Sequence, residues 1–329
     1  MNILITGGAG FIGYHLAKQF LADQGHHLVL IDNLQRGKID DDFKNLLTDP
    51  RVQFTPADLT DQKFYKTLPI NFDQVYHLAA VNGTKLFYQI PEEVLRINTL
   101  SLVYILEWIR GLSKKPKFCF PSSSEVYAGA LGAFGRLPIP TPEKVPLVIE
   151  DPYNPRASYD VTKLLGESFV IHYASTYHFP AVIIRPHNFY GPRAGYDHVI
   201  PEFCLRIIER VDPFPIYGAD NTRTFCYIDD VVRAMQMLMA SPHTDTQPVQ
   251  TVHLGASEEI TMQQLAERLF AAIGWKPQKL NIQNAPAGSV KRRLADISKI
   301  KDLVGWEPET SLDDGLKATF AWYKLHPKK

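Results

Sequence analysis

Short apolar runs alternate with longer amphipathic stretches from the N-terminus to about residue 186. The runs are too short and too uniformly apolar to be surface helices, so they predict buried strands at Ile3–Thr6, Leu28–Asp32, Val52–Thr55, Val75–Ala80, Phe118–Ser122 and Ala181–Arg185. The stretches between them predict helices, among them Ile12–Leu21, Glu92–Arg110 and Ser158–Ser175. Strands that alternate with helices indicate an α/β fold with a doubly wound parallel sheet and right-handed crossovers.

The pattern becomes less regular after residue 186. Residues 187–223 are rich in glycine, proline and aromatic residues, a regular unit resumes over 224–255, and the remainder predicts helices with one short strand. We therefore predict a sheet domain formed by 1–186 plus 224–255, and a smaller, discontinuous C-terminal lobe formed by 187–223 plus 256–329. Six prolines between Leu137 and Pro155 exclude a helix there and predict a stiff loop over a site.

Composition narrows the class of protein. The chain has 329 residues, of which 45% are hydrophobic and 21% charged, as in an ordinary globular protein. Its 35 Lys and Arg balance 35 Asp and Glu. Nucleic-acid duplexes and anionic membranes attract a surplus of cations, so we expect neither as a partner.

Cysteine and histidine usage gives no sign of a metal or a disulfide framework. The three cysteines form no C-x-x-C pair, and the 11 histidines include no H-E-x-x-H motif. We also find no charged leader with a long apolar stretch, and no run near the roughly 18 apolar residues of a membrane span. We expect a cytoplasmic protein without a metal.

A glycine-rich turn follows the first predicted strand. Gly8, Gly10 and Gly13 match G-x-G-x-x-G, which permits a tight turn, close approach to a pyrophosphate and close packing of the next helix. Asp32 is the last residue of the second predicted strand and follows the glycine motif by about 20 residues. At this separation an acidic residue hydrogen-bonds the adenosine ribose of a bound dinucleotide. The pattern predicts a Rossmann domain. Because Asp32 repels a 2′-phosphate, it favours NAD over NADP, although Arg36 is close enough to stack on adenine or to meet such a phosphate.

Tyr159 and Lys163 stand at i and i+4, on one face of a predicted helix. A phenol is a poor base at neutral pH, and a nearby cation lowers its pKa by favouring the phenolate. Tyr159 would then take a proton from a hydroxyl whose carbon loses hydride to nicotinamide. This spacing alone is common and more often belongs to an exposed Tyr with a solvated Lys. The glycine-rich dinucleotide turn upstream is what favours a catalytic role for the pair.

Together these motifs resemble the extended short-chain dehydrogenase/reductase family of NAD-dependent nucleotide-sugar epimerases, dehydratases and decarboxylases. The resemblance covers essentially the whole chain and is carried by the glycine turn Gly7–Gly13, Asp32–Leu34, Asp58–Leu59, His77–Ala80, Ser122–Tyr127, Tyr159 with Lys163, Arg185–Pro192 and Arg223–Asp230. It implies an enzyme that oxidises sugar C4, with NAD as a recycled cofactor and a nucleotide-sugar as substrate.

The resemblance also implies roles by position. Ser123 would hydrogen-bond the sugar 4-hydroxyl beside Tyr159, and Ser124 and Asn188 would contact substrate. Arg223 and Arg293 would neutralise the diphosphate, although in Lys291–Arg293 the inward residue is either Arg292 or Arg293. The implied cofactor-binding residues are Gly7, Gly10, Phe11, Ile12, Gly13, Asp32, Asn33, Arg36, Asp58, Leu59, Leu78, Ala79, Ala80, Asn98, Tyr159, Lys163 and Pro186.

Glu125 is the most informative residue for the reaction. A carboxylate at this position resembles the dehydratases and decarboxylases of the family, and it would remove the C5 proton next to a 4-ketone. We therefore lean to 4,6-dehydration, with 4-epimerisation and decarboxylation of a nucleotide-linked glucuronate as alternatives. Ser124 departs from the Asp–Glu pair of some dehydratases, and the dehydratases that act on GDP-mannose resemble this chain better, with a hydroxyl, Ser and Glu in order. Ser124–Glu125 with Arg293 also resembles the decarboxylases. The structural alternative is that Glu125 only stabilises the next helix N-terminus.

Three further expectations concern His187, a rival class and assembly. His187 is predicted to lie near the nicotinamide edge as a packing residue rather than a catalyst. A non-catalytic NAD-binding sensor is the rival from another class, and the presence of Ser123, Tyr159 and Lys163 argues against it. Apolar residues on more than one face of Glu92–Arg110 and Ser158–Ser175 suit a homodimer, which the resemblance also implies.

Overall fold

The computed structural model describes residues 1–285 and 290–328. Within these ranges the strands are β1 (Asn2–Thr6), β2 (His27–Asp32), β3 (Val52–Pro56), β4 (Gln74–His77), β5 (Lys117–Pro121), β6 (Ala181–Pro186), β7 (Phe189–Tyr190), β8 (Phe214–Tyr217), β9 (Thr222–Arg223), β10 (Cys226–Tyr227), β11 (Val249–Leu254), β12 (Ile260–Thr261) and β13 (Leu280–Gln283). The α-helices are α1 (Phe11–Ala22), α2 (Asp41–Leu46), α3 (Thr84–Gln89), α4 (Pro91–Gly111), α5 (Gly129–Phe134), α6 (Ala157–Tyr177), α7 (Val199–Ile208), α8 (Ile228–Ala240), α9 (Met262–Ile273), α10 (Ser298–Val304) and α11 (Leu312–Leu325).

Seven of the described strands form one parallel sheet in the order β11-β6-β5-β4-β1-β2-β3. The predicted doubly wound sheet is confirmed. Connections leave to opposite sides at β1 and β4, which opens a crevice at their carboxyl ends, where ligands bind in such folds. β4 ends at His77, not at Ala80 as predicted. The chain leaves the ladder there, since the amide of Ala79 donates to the Thr6 hydroxyl at 3.3 Å.

The sheet is buried on both faces, which is why its strands are apolar throughout. Ile3 and Ile5 point to the face covered by α1 and α8, whereas Leu4 between them points to the face covered by α4 and α6. All three side chains are fully buried. The alternation fixes the register of β1, because a slip of one residue would exchange the two faces.

The smaller lobe has its own core, formed by α7, α9, α11 and β8. Two short described strands, β12 and β13, follow residue 256 where one was predicted. The structure also differs from the predicted boundary between the sheet domain and the lobe at residues 298–306, which were assigned to the lobe. Ile300 and Trp306 belong to the core beside α1 and α8, and the Trp306 indole donates to the carbonyl of Asp230 at 3.1 Å. The rest of the two-domain division remains a prediction.

Side chains from the C-terminal half hold the segment that follows β2, which includes the start of α2. Arg193, whose side chain is 5% exposed, pairs with Asp40 at 3.0 Å and lies over the Tyr14 ring. The Trp322 indole donates to Asp42 at 2.9 Å. These contacts fix the position of the lobe against the crevice of the sheet.

Among the helices of residues 1–285 and 290–328, none combines the length and the apolar character that crossing a membrane requires.

Candidate active site

The glycine-rich turn has the geometry of a pyrophosphate cradle. Gly7 has a φ of +70°, so the left-handed residue of the turn is Gly7 and not Gly8, which packs against Leu30. A Cβ at Gly13 would lie 2.2 Å from the Gly7 carbonyl oxygen. No side chain caps α1 at Gly10, which leaves its first amides to bind an anion. The turn therefore fits the dinucleotide that the sequence predicts.

Asp32 ends β2 beside this turn. Its carboxylate accepts from the amides of Ala9 at 3.1 Å and Leu34 at 2.8 Å. Burial raises its pKa, and the backbone amides oppose this shift. The carboxylate thus ties the glycine turn to the loop after β2, in the place where a ribose would meet it.

The other predicted cofactor residues lie along the same edge of the sheet. Asn98 on α4 holds the chain after β4, since its side chain accepts from the Val81 amide at 2.7 Å and donates to the Val81 carbonyl at 3.1 Å. The Arg36 guanidinium lies near Tyr159 and Asp197 and therefore reaches into the groove. The remaining residues begin α1, follow strands β2, β3 and β4, or end β6: Phe11, Ile12, Asn33, Asp58, Leu59, Leu78, Ala79, Ala80 and Pro186.

Tyr159 and Lys163 lie on one face of α6, as predicted. Tyr159 stacks on Phe87 with ring centroids 4.7 Å apart, and its phenol interacts with the Ser123 hydroxyl. Lys163 donates to the carbonyl of Pro121 at 2.7 Å, and burial lowers its pKa to about 8. Burial raises the pKa of Tyr159, whereas Ser123 and Arg36 lower it. The pKa of Tyr159 is therefore raised, and the lowering predicted from Lys163 is not found.

A buried ion pair fixes α6 against the sheet. Arg185 on β6 binds Glu167 on α6 through two nitrogens, at 2.8 and 2.7 Å, and the Ser122 hydroxyl donates to the same carboxylate at 2.6 Å. Both charged side chains are 5% exposed or less. The network holds the ends of β5 and β6 against the helix that carries Tyr159.

Glu125 lies between two guanidinium groups. Arg293 donates to its two carboxylate oxygens at 2.8 and 3.2 Å, and Arg156 donates to Oε1 at 2.8 Å. Arg293 also reaches the Ser124 hydroxyl at 3.4 Å. Burial opposes ionisation, but the two arginines outweigh it and hold the pKa of Glu125 at about 2. Glu125 is ionised throughout the physiological range.

The proline-rich segment lies beside this cluster. The amide of Thr141 donates to the carbonyl of Leu294 at 2.9 Å, and the amide of Val148 donates to that of Val126 at 3.1 Å. The segment therefore joins the turn that carries Glu125 to the strand-like stretch that carries Arg293. This is the position predicted for a stiff loop over a site.

The predicted diphosphate contacts are partly rearranged. Arg293 is the inward residue, with 12% of its side chain exposed, whereas Arg292 is 52% exposed and pairs with Glu259 at 2.8 Å. Arg293 is however engaged by Glu125 and is not free for the diphosphate. Arg223 is half-buried, and burial and then Arg293 lower its pKa to about 10. Asn188 donates to the carbonyl of Thr224 at 2.9 Å.

His187 is buried behind the site and bonded to a tyrosine. Its Nε2 lies 2.7 Å from the Tyr127 hydroxyl, and its ring packs on His253 with centroids 5.2 Å apart. Burial holds the pKa of His187 well below its ordinary value. A neutral, bonded histidine agrees with the packing role predicted for it.

Two residues of the site escaped the sequence analysis. Arg156 directly precedes α6 and Asp160 lies in its first turn, on either side of Tyr159, and both interact electrostatically with Glu125. Their closeness to Tyr159 in the chain was a usable signal, but partners from other segments decide their role. Among the described residues, no group of three or more His, Cys, Asp or Glu side chains is placed to hold a metal ion.

Comparison with known proteins identifies the family. The profile of the GDP-mannose 4,6-dehydratase family matches residues 4–319. The chain belongs to this family. Its members are extended short-chain dehydrogenase/reductases, so the chain is an NAD-dependent enzyme that acts on a nucleotide-sugar through a 4-keto intermediate. The predicted class, cofactor and fold are confirmed.

Relatives within this dehydratase family have several activities. UDP-glucuronic acid decarboxylase 5 of Arabidopsis thaliana is 30% identical over 96% of this chain and 87% of its own. A UDP-N-acetyl-alpha-D-glucosaminuronate decarboxylase of Bacillus cytotoxicus is 30% identical over 98% and 97%. UDP-glucuronic acid 4-epimerase from Bacillus cereus, whose crystal structure is in complex with UDP-glucuronic acid and NAD, is 29% identical to this chain. The match covers 99% of this chain and 100% of the epimerase chain, with a TM-score of 0.84.

Proposed function

We propose that the protein is an NAD-dependent decarboxylase of a UDP-linked uronic acid. The observation that carries this proposal is the buried cluster of Glu125, Arg156 and Arg293 beside Ser124. Two guanidinium groups against one ionised carboxylate leave a positive charge that a second carboxylate can neutralise. Arginine matches a carboxylate with two parallel hydrogen bonds, which suits recognition of a uronic acid.

The position of the cluster relative to Tyr159 supports the same substrate. Ser123 and Tyr159 form the pair proposed to meet the sugar 4-hydroxyl, and Ser124 and Glu125 follow Ser123 directly in the chain. The substituent on C5 is the next group along the sugar ring from C4. A carboxylate at C6 would therefore face the arginine cluster when the 4-hydroxyl faces Tyr159.

The two guanidinium groups also argue against 4,6-dehydration, the reaction that the sequence analysis favoured. Dehydration needs a base that removes the C5 proton, and a carboxylate with a pKa of about 2 is a weak base. Loss of carbon dioxide needs no such base, because the electron pair of the C5–C6 bond moves towards the C4 carbonyl. The curated relatives named above act on uronic acids, and the nucleotide of all three comparison proteins is UDP.

The residues at the sheet edge would hold the cofactor. The amides at the start of α1 would bind the pyrophosphate, and Asp32 would bind the adenosine ribose. When bound, NAD supplies a reversible hydride acceptor at C4. Tyr159 would exchange a proton with the 4-oxygen, while Ser123 orients that oxygen and Lys163 fixes the end of β5 through Pro121.

We also propose that the protein is a cytoplasmic homodimer. Leu95 on α4 and Leu165 and Ile171 on α6 are 38 to 39% exposed, on helices whose other faces pack against the sheet. Apolar side chains left exposed on two adjacent helices suit a symmetric contact between two copies. The three cysteines are buried and unpaired, which suits a reducing compartment.

The substrate is tested with purified protein and a set of nucleotide-sugars that includes UDP-glucuronate, UDP-glucose and GDP-mannose. We expect conversion of the uronate alone, with loss of carbon dioxide measured by mass spectrometry. Loss of water from GDP-mannose would contradict the proposal, and an isomer of unchanged mass would indicate 4-epimerisation instead.

Adjacent arginines provide a matched control. Arg293→Lys removes the two-pronged contact with Glu125, so we expect kcat/KM for the uronate to fall about 100-fold, the range for a lost charge-assisted contact. Arg292→Lys changes an exposed residue that pairs with Glu259, and its kcat/KM should stay within about twofold of wild type. Equal effects of the two variants would contradict the assignment.

A further inference from the structure

The Asp160 carboxylate lies beside the catalytic phenol of Tyr159. The proposed function described above gives Asp160 no role. It follows Tyr159 directly and lies one helical turn after Arg156. Its Oδ1 is buried and has no hydrogen-bonding partner among the described residues. A buried carboxylate oxygen without a partner is unfavourable for the ionised form, and such atoms are rare enough in native proteins to call for an explanation, of which a catalytic role is one.

The charges around Asp160 explain why it stays unpaired. Among the described residues, the carboxylate to which Arg293 and Arg156 donate hydrogen bonds is that of Glu125, on the turn after β5. Burial raises the pKa of Asp160 to about 7, the negative charge of Glu125 adds to this, and the two arginines oppose it. Asp160 therefore exchanges a proton near neutral pH, whereas Glu125 remains ionised.

The proposed reaction needs such a group. When a 4-keto uronate loses carbon dioxide, the C5–C6 bond breaks and its electron pair forms an enolate over C5, C4 and the 4-oxygen. A proton must then bind C5 to restore the 4-ketone, so each turnover consumes one proton. Glu125 holds none at physiological pH, and the buried His187 is neutral and bonded to Tyr127.

We propose that Asp160 delivers this proton to C5 after carbon dioxide has left. Its carboxyl O–H bond breaks, the C5–H bond forms, and the Asp160 carboxylate is protonated again from solvent, since the side chain is only partly buried. This inference rests on the proposed decarboxylation. The same charges account for uronate binding, because protonated Asp160 leaves the two arginines facing Glu125 and the carboxylate of the substrate.

The test measures deuterium incorporation and the pH dependence of kcat as well as kcat itself. In deuterium oxide, wild type should place deuterium in one of the two positions on C5 of the product pentose. Asp160→Asn should lower kcat about 100-fold with little change in KM, release 4-keto pentose, and label both C5 positions. For wild type, kcat should fall as pH rises through about 7, because the donor loses its proton, and Asp160→Asn should lack this decrease.

Two further variants make the result decisive. Asp302→Asn changes an exposed carboxylate on α10 and should behave as wild type. Asp160→Glu keeps the carboxyl group and should restore part of the single-position labelling, which separates proton donation from a loss of folding. Wild-type labelling, pH dependence and kcat in Asp160→Asn would overturn the role of Asp160 alone. Absence of carbon dioxide release by wild type would overturn both this role and the proposed function.

Discussion

Tyr159 lies between Phe87 and Ser123 at the start of α6, where burial raises the pKa of its phenol. The isolated chain therefore holds Tyr159 as a neutral phenol, which must lose its proton before it can accept that of the sugar 4-hydroxyl. The sequence predicted the position of this residue, because its spacing from Lys163 belongs to one helical turn. It did not predict the balance of charges, since that depends on Ser123, Arg36 and burial.

We predict that Tyr159→Phe lowers turnover about 1,000-fold, within the range for loss of a group that transfers a proton. Copurified NAD and the melting temperature should stay close to wild type, because the ring still packs on Phe87. Tyr153→Phe is the control, since Tyr153 is 94% exposed on the preceding loop. Turnover by Tyr159→Phe close to that of wild type would contradict the role of Tyr159, whereas the absence of turnover in wild type would favour the non-catalytic NAD sensor.

At the scale of elements, the turn between β1 and α1 combines what sequence can and cannot predict. The spacing of Gly8, Gly10 and Gly13 correctly predicted a turn that ends in a helix. It did not identify Gly7 as the left-handed residue of the turn, because the choice between adjacent glycines depends on Leu30 packing against Gly8.

We predict that Gly13→Ala abolishes NAD retention and lowers the melting temperature. The added Cβ would lie 2.2 Å from the Gly7 carbonyl oxygen and 2.8 Å from the Gly8 Cα, so α1 must move away from the turn. Gly111→Ala, at the end of α4, is the matched control, as its added Cβ would have no neighbour within 4 Å. The control should retain NAD and gain up to about 1 kcal/mol of stability. Cofactor absorbance and thermal unfolding measure both, and NAD retention by Gly13→Ala would contradict the cradle.

At the scale of the whole molecule, the sheet was predictable and the assembled site was not. Strand and helix positions follow from local periodicity, and their parallel order follows from the alternation of the two. Glu125, Arg156 and Arg293 come from three distant segments, and no local pattern shows that they meet. The same limit applies to Ile300 and Trp306, which pack on the sheet domain although the chain around them was assigned to the lobe.

We predict a dimeric mass by light scattering. Leu165→Glu places a charge on the exposed face of α6 and should shift the mass towards that of a monomer, because a buried unpaired charge is unfavourable. Ile70→Glu changes a residue that is 60% exposed and lies outside α4 and α6, so its mass should not change. A monomeric wild type would contradict the proposed assembly.

The central claim is that two arginines around Glu125 receive the carboxylate of a uronic acid that is then released. The most direct measurement uses UDP-glucuronate labelled with ¹³C at C6, followed by NMR with purified protein and NAD. We predict that the label appears as carbon dioxide and bicarbonate while an unlabelled UDP-pentose forms. Retention of the label in a UDP-linked hexuronate, or the absence of turnover, would contradict the claim.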